Sequence, residues 1–101
     1  MPQTYEIVDG VRRAKAASIL GQKTIWARVG ETAPEQKLPV RDLLSPKELI
    51  DVSQPRELHR WLNVKRGMTQ EPDVLPPIIV RPGKSGTPIS DIPVTGDPAG
   101  S

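Results

Sequence analysis

At 101 residues the chain has room for one domain with one modest core, because a chain of this size buries about two-thirds of its unfolded surface. Twelve prolines, eight glycines and no phenylalanine leave that core to Leu, Ile, Val and Ala, while the lack of cysteine excludes disulfides, thiol nucleophiles and thiolate metal sites; a lone His59 gives no basis for a metal. The formal charge of +2 is unevenly spread, with Arg12, Arg13, Lys15, Lys23 and Arg28 set against only Glu6 and Asp9 at the start of the chain, which favours an anionic partner for this end.

In chain order, TYEIV reads as a strand, since Tyr5, Ile7 and Val8 suit a pleated, half-buried surface. Asp9 offers a carboxylate N-cap for a helix from Val11 to Leu20, and Gly21 supplies positive φ just beyond its end. Ala14, Ala17, Ser18 and Gly21 make a small-residue face that lets this helix lie close on a sheet. TIWARV, Thr24 to Val29, reads as a second strand that Gly30 ends. Glu31 to Lys37 reads as a polar loop, followed by a short third strand near Leu38 to Val40.

Ser45-Pro46-Lys47-Glu48 has the form of a capping box, predicting a short helix that ends near Asp51. A longer helix is predicted from Gln54 to Arg66, capped by Ser53 and stopped by Gly67, with Leu58, Trp61 and Leu62 as its core stripe. Ile78, Ile79 and Val80 form a buried strand with Pro76 and Pro77 at its entrance, where a missing N–H is tolerated. From Gly83 to Ser101 the chain is too poor in apolar residues to offset its ordering entropy and reads as a flexible tail, in which Ile89, Ile92 and Val94 hold material for one edge strand. The expected architecture is therefore α/β (α+β), a small mixed sheet of three to four strands with two to three helices, in a domain over residues 1–82 and a tail over 83–101.

Gly83-Lys84-Ser85 is not a Walker-type loop, because the glycine required five residues earlier is Ile78 and no helix signal follows. Asp9-Gly10-Val11-Arg12-Arg13 has more chemistry in it. The first turn of a helix presents unpaired N–H groups and partial positive charge, Gly10 leaves the approach clear, and two arginines add permanently charged forks for phosphate oxygens. The candidate phosphate site is Gly10, Val11, Arg12 and Arg13, with Lys15 and Arg81 on its rim; the plainer reading is a solvated basic face in which an arginine pairs with Asp9 or Glu6. No catalytic residue is assigned, since Asp9 is accounted for as a cap and His59 as a helix-surface side chain.

TYEIVDGVRRAKAASILGQKTIWARV resembles the arginine box of ParB-like domains: a strand, a Gly-x-Arg-Arg turn, an Ala-rich helix and a return strand. KLPVRDLLSPKELIDVSQPRELHRWLNVKRGMTQEPDVLPPIIVRPG is similar to the other half of that domain, with its QPR segment (Gln54, Pro55, Arg56) and its PPIIVRP strand. In the family the second piece comes first, so the resemblance implies a circularly permuted ParB/sulfiredoxin fold, or one completed by a neighbouring chain. GETAPEQK would join the old ends, and Ile78 to Arg81 would pair with Tyr5 to Val8. The resemblance implies nucleotide or nucleic-acid phosphate as ligand, with nuclease or nucleotide-phosphate hydrolase activity by analogy; sulfiredoxin chemistry is excluded because its cysteine is missing. A weaker likeness to C-terminal effector domains of bacterial toxins adds an immunity-type protein, or a second copy, as partner. The contrasting reading is a non-catalytic protein-interaction module on a degenerate ParB-like scaffold. With neither a leader pattern nor an apolar run of membrane length, no membrane partner is expected, and the chain is placed in the cytoplasm or exported within a larger toxin polypeptide. No cofactor is assigned.

Overall fold

A computed structural model describes residues 3–46, 49–71 and 75–95. The chain runs β1 (Tyr5–Asp9), α1 (Val11–Ile19), β2 (Thr24–Val29), β3 (Glu35–Pro39), a 3-10 turn at Val40–Asp42, β4 (Leu43–Ser45) and β5 (Ile50–Asp51). It continues through α2 (Pro55–Gln70), β6 (Ile78–Pro82), β7 (Thr87–Pro88), a 3-10 turn at Ile89–Asp91 and β8 (Val94–Thr95).

The main sheet has six strands in the order β3-β2-β6-β1-β4-β7, and β5 pairs with β8 in a separate two-stranded sheet. The mixed α+β character stands, but three to four strands is an undercount. Short segments were missed because pairing rather than propensity makes them strands: β7 contains a proline and holds its place through Leu44↔Pro88 and Ser45↔Thr87.

β6 lies antiparallel to β1, with Glu6↔Arg81 and Ile7↔Val80 in register, and parallel to β2, with Ala27↔Ile78 and Val29↔Val80. The expected adjacency of Ile78 to Arg81 with Tyr5 to Val8 is therefore present. Ile7, Ala27, Ile78 and Val80 are buried together with Ala14, Ala16 and Ala17 of α1. Of the expected small-residue face, Ala14 and Ala17 have no exposed surface, while Ser18 is half-buried and Gly21 exposed; Ala16, outside that face, is buried with them.

Gly21, at φ 77°, closes α1 as expected: the Gly21 N–H donates to Ser18 O at 3.2 Å and the Gln22 N–H to Ala17 O at 2.9 Å, the paired bonds of a Schellman ending. The start of α1 differs from expectation. Gly10 is its cap, in the left-handed region with no side-chain cap bond, and Asp9 is the last residue of β1.

Four further expectations need correction. β3 begins at Glu35, so part of the loop read over Glu31 to Lys37 is strand. Ser45 ends β4 and Ile50–Asp51 is a strand, so no helix occupies those positions; Lys47 and Glu48, half of the capping box, lie outside the described residues. α2 does not stop at Gly67 but continues to Gln70: Gly67 has an ordinary helical backbone, and a Cβ there would come within 3.2 Å of Leu75 Cδ2. Ser53 does not cap α2 either: its hydroxyl and N–H both donate to the Asp51 carboxylate, at 2.5 and 3.0 Å, which holds that acid below its ordinary range.

On α2, Trp61 is buried in a small second cluster with Ile50 and Val52, Met68 reaches the main core, and Leu62 of the predicted stripe is exposed. The segment from Gly83 to Thr95, expected to be flexible, is packed: Ile89 and Ile92 are core residues and Val94 supports the Trp61 cluster. Residues 96–101 of the expected tail lie outside the described set.

Candidate functional site

The site is built where β1 gives way to α1. The β1 register shifts between Ile7 and Asp9, the chain turns through Gly10 at φ 103°, and the first intrahelical bond runs from the Ala14 N–H to Gly10 O at 3.0 Å. The N–H groups of Val11, Arg12 and Arg13 lie ahead of that bond, in the helical positions that have no acceptor within the helix. A groove of about 410 Å³ opens beside them, lined by Asp9, the Gly10 turn, Arg12 and Arg13, and across from them by Arg60, Asn63 and Val64 of α2.

Gly10 has a packing role that the sequence did not disclose. A Cβ there would stand 2.5 Å from Ile78 Cγ2, so the turn rests on β6 and only glycine fits. The two arginines diverge rather than converge. Arg12 reaches toward α2, where its Nε donates to Glu57 Oε2 at 2.7 Å and its terminal nitrogen pairs with the same oxygen. Arg60 approaches the other Glu57 oxygen at 3.6 Å, so one carboxylate sits between two guanidinium groups.

Arg13 turns the opposite way. Its guanidinium donates to the carbonyls of Pro76 and Pro77, the latter at 3.1 Å, and lies 3.9 Å from Asp9. Burial pulls its pKa down and Asp9 opposes the shift, but an arginine keeps its charge throughout the working range. The prolines there have carbonyls and no N–H to spend, so Arg13 acts as a buttress for the β6 entrance.

Neither expected rim residue lines the groove. Lys15 is buried one turn further along α1, its Nζ donating to Ile89 O at 3.2 Å and Ser90 O at 3.3 Å, while Arg81 lies along the sheet and pairs with Glu6 at 3.1 Å. Arg60 and Asn63 take the positions beside the turn instead. Their signal in the sequence was faint: both lie off the apolar stripe of α2, but only the packing of α2 against α1 brings them to Gly10.

The Gly83–Ser85 loop wraps a carboxylate of the protein itself. The Ser85 N–H donates to Glu6 Oε2 at 3.3 Å, and a Cβ on Gly83 would fall 1.8 Å from that same oxygen. His59 bonds to Asn63, at 3.1 Å, on the exposed side of α2. Among the described residues no group of three or more His, Asp or Glu side chains is placed to hold a metal, and no helix is long and apolar enough to cross a membrane.

Comparison with known protein families, curated proteins and solved structures finds no match to this chain.

Proposed function

We propose that this chain is a phosphate-binding domain of permuted ParB-like type, taking the phosphate of a nucleotide or nucleic acid in the groove between the Gly10 turn and α2. One observation carries the reading: an α-helix start with no side-chain cap faces a groove flanked by two guanidinium groups, Arg12 and Arg60. The N–H groups of Val11 and Arg12 would donate to the phosphate, and the two arginines would exchange part of their hold on Glu57 for its oxygens. Arg13 supports the turn and adds charge from below. Nuclease or nucleotide-phosphate hydrolase activity, in a toxin setting, extends this reading by family analogy alone.

The test is titration of the whole chain with mononucleotides and with DNA and RNA oligonucleotides. Arg12→Ala and Arg60→Ala should each weaken binding by about ten- to a hundredfold, in line with about 1.5–3 kcal/mol for a charge-assisted hydrogen bond. Each should also flatten the slope of affinity against salt by about one phosphate contact. Glu57→Gln should tighten binding, because it frees both arginines. Binding that ignores salt and all three substitutions would remove the site.

A second reading, the non-catalytic interaction module, has its own support: both arginines of the Gly10 turn already have partners inside the protein. Under that reading no nucleotide or oligonucleotide binds, and apolar contacts to a partner respond little to salt.

A further inference from the structure

On the other side of Arg13 the sheet contains a wedge. β2 and β6 pair only from Ala27↔Ile78 onward, although β2 begins at Thr24. The cause is covalent. Pro76 and Pro77 have no N–H with which to continue the ladder, and Arg13 takes both of their carbonyls. Among the described residues no strand flanks the Thr24–Trp26 stretch on that side.

A groove of about 330 Å³ fills the split, with Ile25, Met68 and Leu75 as its apolar lining. Three cations border it, Arg13, Lys23 and Lys37, and none of its described lining residues is acidic. Trp26, 36% exposed, stands at the mouth with the Lys37 ammonium 5.2 Å from its ring centroid.

We infer that this groove receives the C-terminal end of a partner polypeptide, with the terminal carboxylate held by Lys23 and Lys37 and an apolar last side chain on the Met68–Leu75 floor. Size selects a chain end over a passing strand, because about 330 Å³ holds only the last residue or two of an extended segment. Charge selects which end: three cations repel an N-terminal ammonium and attract a carboxylate. The edge of β2, unpaired on this side among the described residues, supplies main-chain partners for the last residues of an extended peptide, and side chains alternating along it would face the floor and the solvent in turn. The volume is at the lower limit of small-ligand sites, about 300–1,000 Å³, which suits a terminus rather than a longer strand. This inference goes beyond the phosphate reading and does not rest on it.

The test uses the isotopically labelled whole chain and N-acetylated peptides of about four residues ending in leucine, as free acid and as amide. The free acid should shift the backbone signals of Lys23 to Trp26 and Lys37 saturably, and amidation should weaken binding by at least about tenfold, a loss of about 1.4 kcal/mol. Lys23→Glu with Lys37→Glu should abolish it; if that pair fails to fold, Lys23→Gln and Lys37→Gln singly should each weaken it severalfold. Equal binding of acid and amide, unchanged binding in the glutamine variants, or a mononucleotide moving those same signals where the peptide does not would overturn the inference.

Discussion

At the residue scale, Gly10 and Lys15 show how single side chains constrain the first helix. Gly10 combines a left-handed backbone with a site where a Cβ meets Ile78 Cγ2 at 2.5 Å. Backbone strain and overpacking add there, and each is worth about 1–3 kcal/mol. Gly10→Ala should therefore lower stability by about 2–6 kcal/mol, read as a shift in urea midpoint; a shift of a few tenths would mean the turn is not seated on β6. Lys15 acts through its proton. Burial lowers its pKa, with Asp91 opposing, so between the folded value and the unfolded value near about 10.4 the unfolded chain binds more protons than the folded one. Stability must then rise with pH across that window. Compared with Lys15→Met, the wild type should gain stability as pH climbs through the alkaline window that ends near about 10.4; parallel pH profiles for the two proteins would refute the assignment.

At the scale of elements, the segment after β6 shows most clearly what composition conceals. Gly83 to Thr95 is rich in Gly, Pro, Ser and Thr, and that composition argues for looseness. Its three β-branched apolar residues are nevertheless spaced so that Ile89 and Ile92 enter the main core and Val94 the Trp61 cluster. Ile89 is fixed twice, by burial of its side chain and by its carbonyl accepting from Lys15 Nζ. Ile89→Ala should cost about 2–5 kcal/mol, as expected for a large-to-small change in a core. Calorimetric melting of the variant measures it; an unchanged melting temperature would return the segment to the status of a loose tail. The elements that were legible, β1, α1, β2 and β6, announce themselves through local signals: β-branched runs, an alanine face, a glycine beyond a helix end. β4, β5, β7 and β8 do not, being two or three residues long and existing only because a distant strand lies alongside. The Ser45 capping box misled for the same reason, since pairing of Ser45 with Thr87 outweighs a local preference for helix.

At the scale of the whole molecule, the candidate groove joins pieces from both parts of the chain. The Gly10 turn and its arginines were legible because they are adjacent in sequence; Arg60, Asn63 and Glu57 were not, because only the docking of α2 on α1 supplies them. The sheet has the same long-range logic. β1 and β2 never pair with each other; both pair with β6, which arrives only after α2. Without β6, β1 keeps β4 and β2 keeps β3, leaving two separate strand pairs and an α1 whose alanine face has lost Ile78 and Val80. Isolated strand pairs are at best marginal in water. A fragment covering residues 1–74 should therefore show collapsed amide dispersion and no cooperative melting, and an added synthetic peptide spanning residues 75–95 should restore both, because it returns the central strand together with Ile89 and Ile92. Native-like dispersion in the fragment alone would mean that β1 and β2 are held by something other than β6, and the placement of the Gly10 turn on Ile78 would then have to be abandoned.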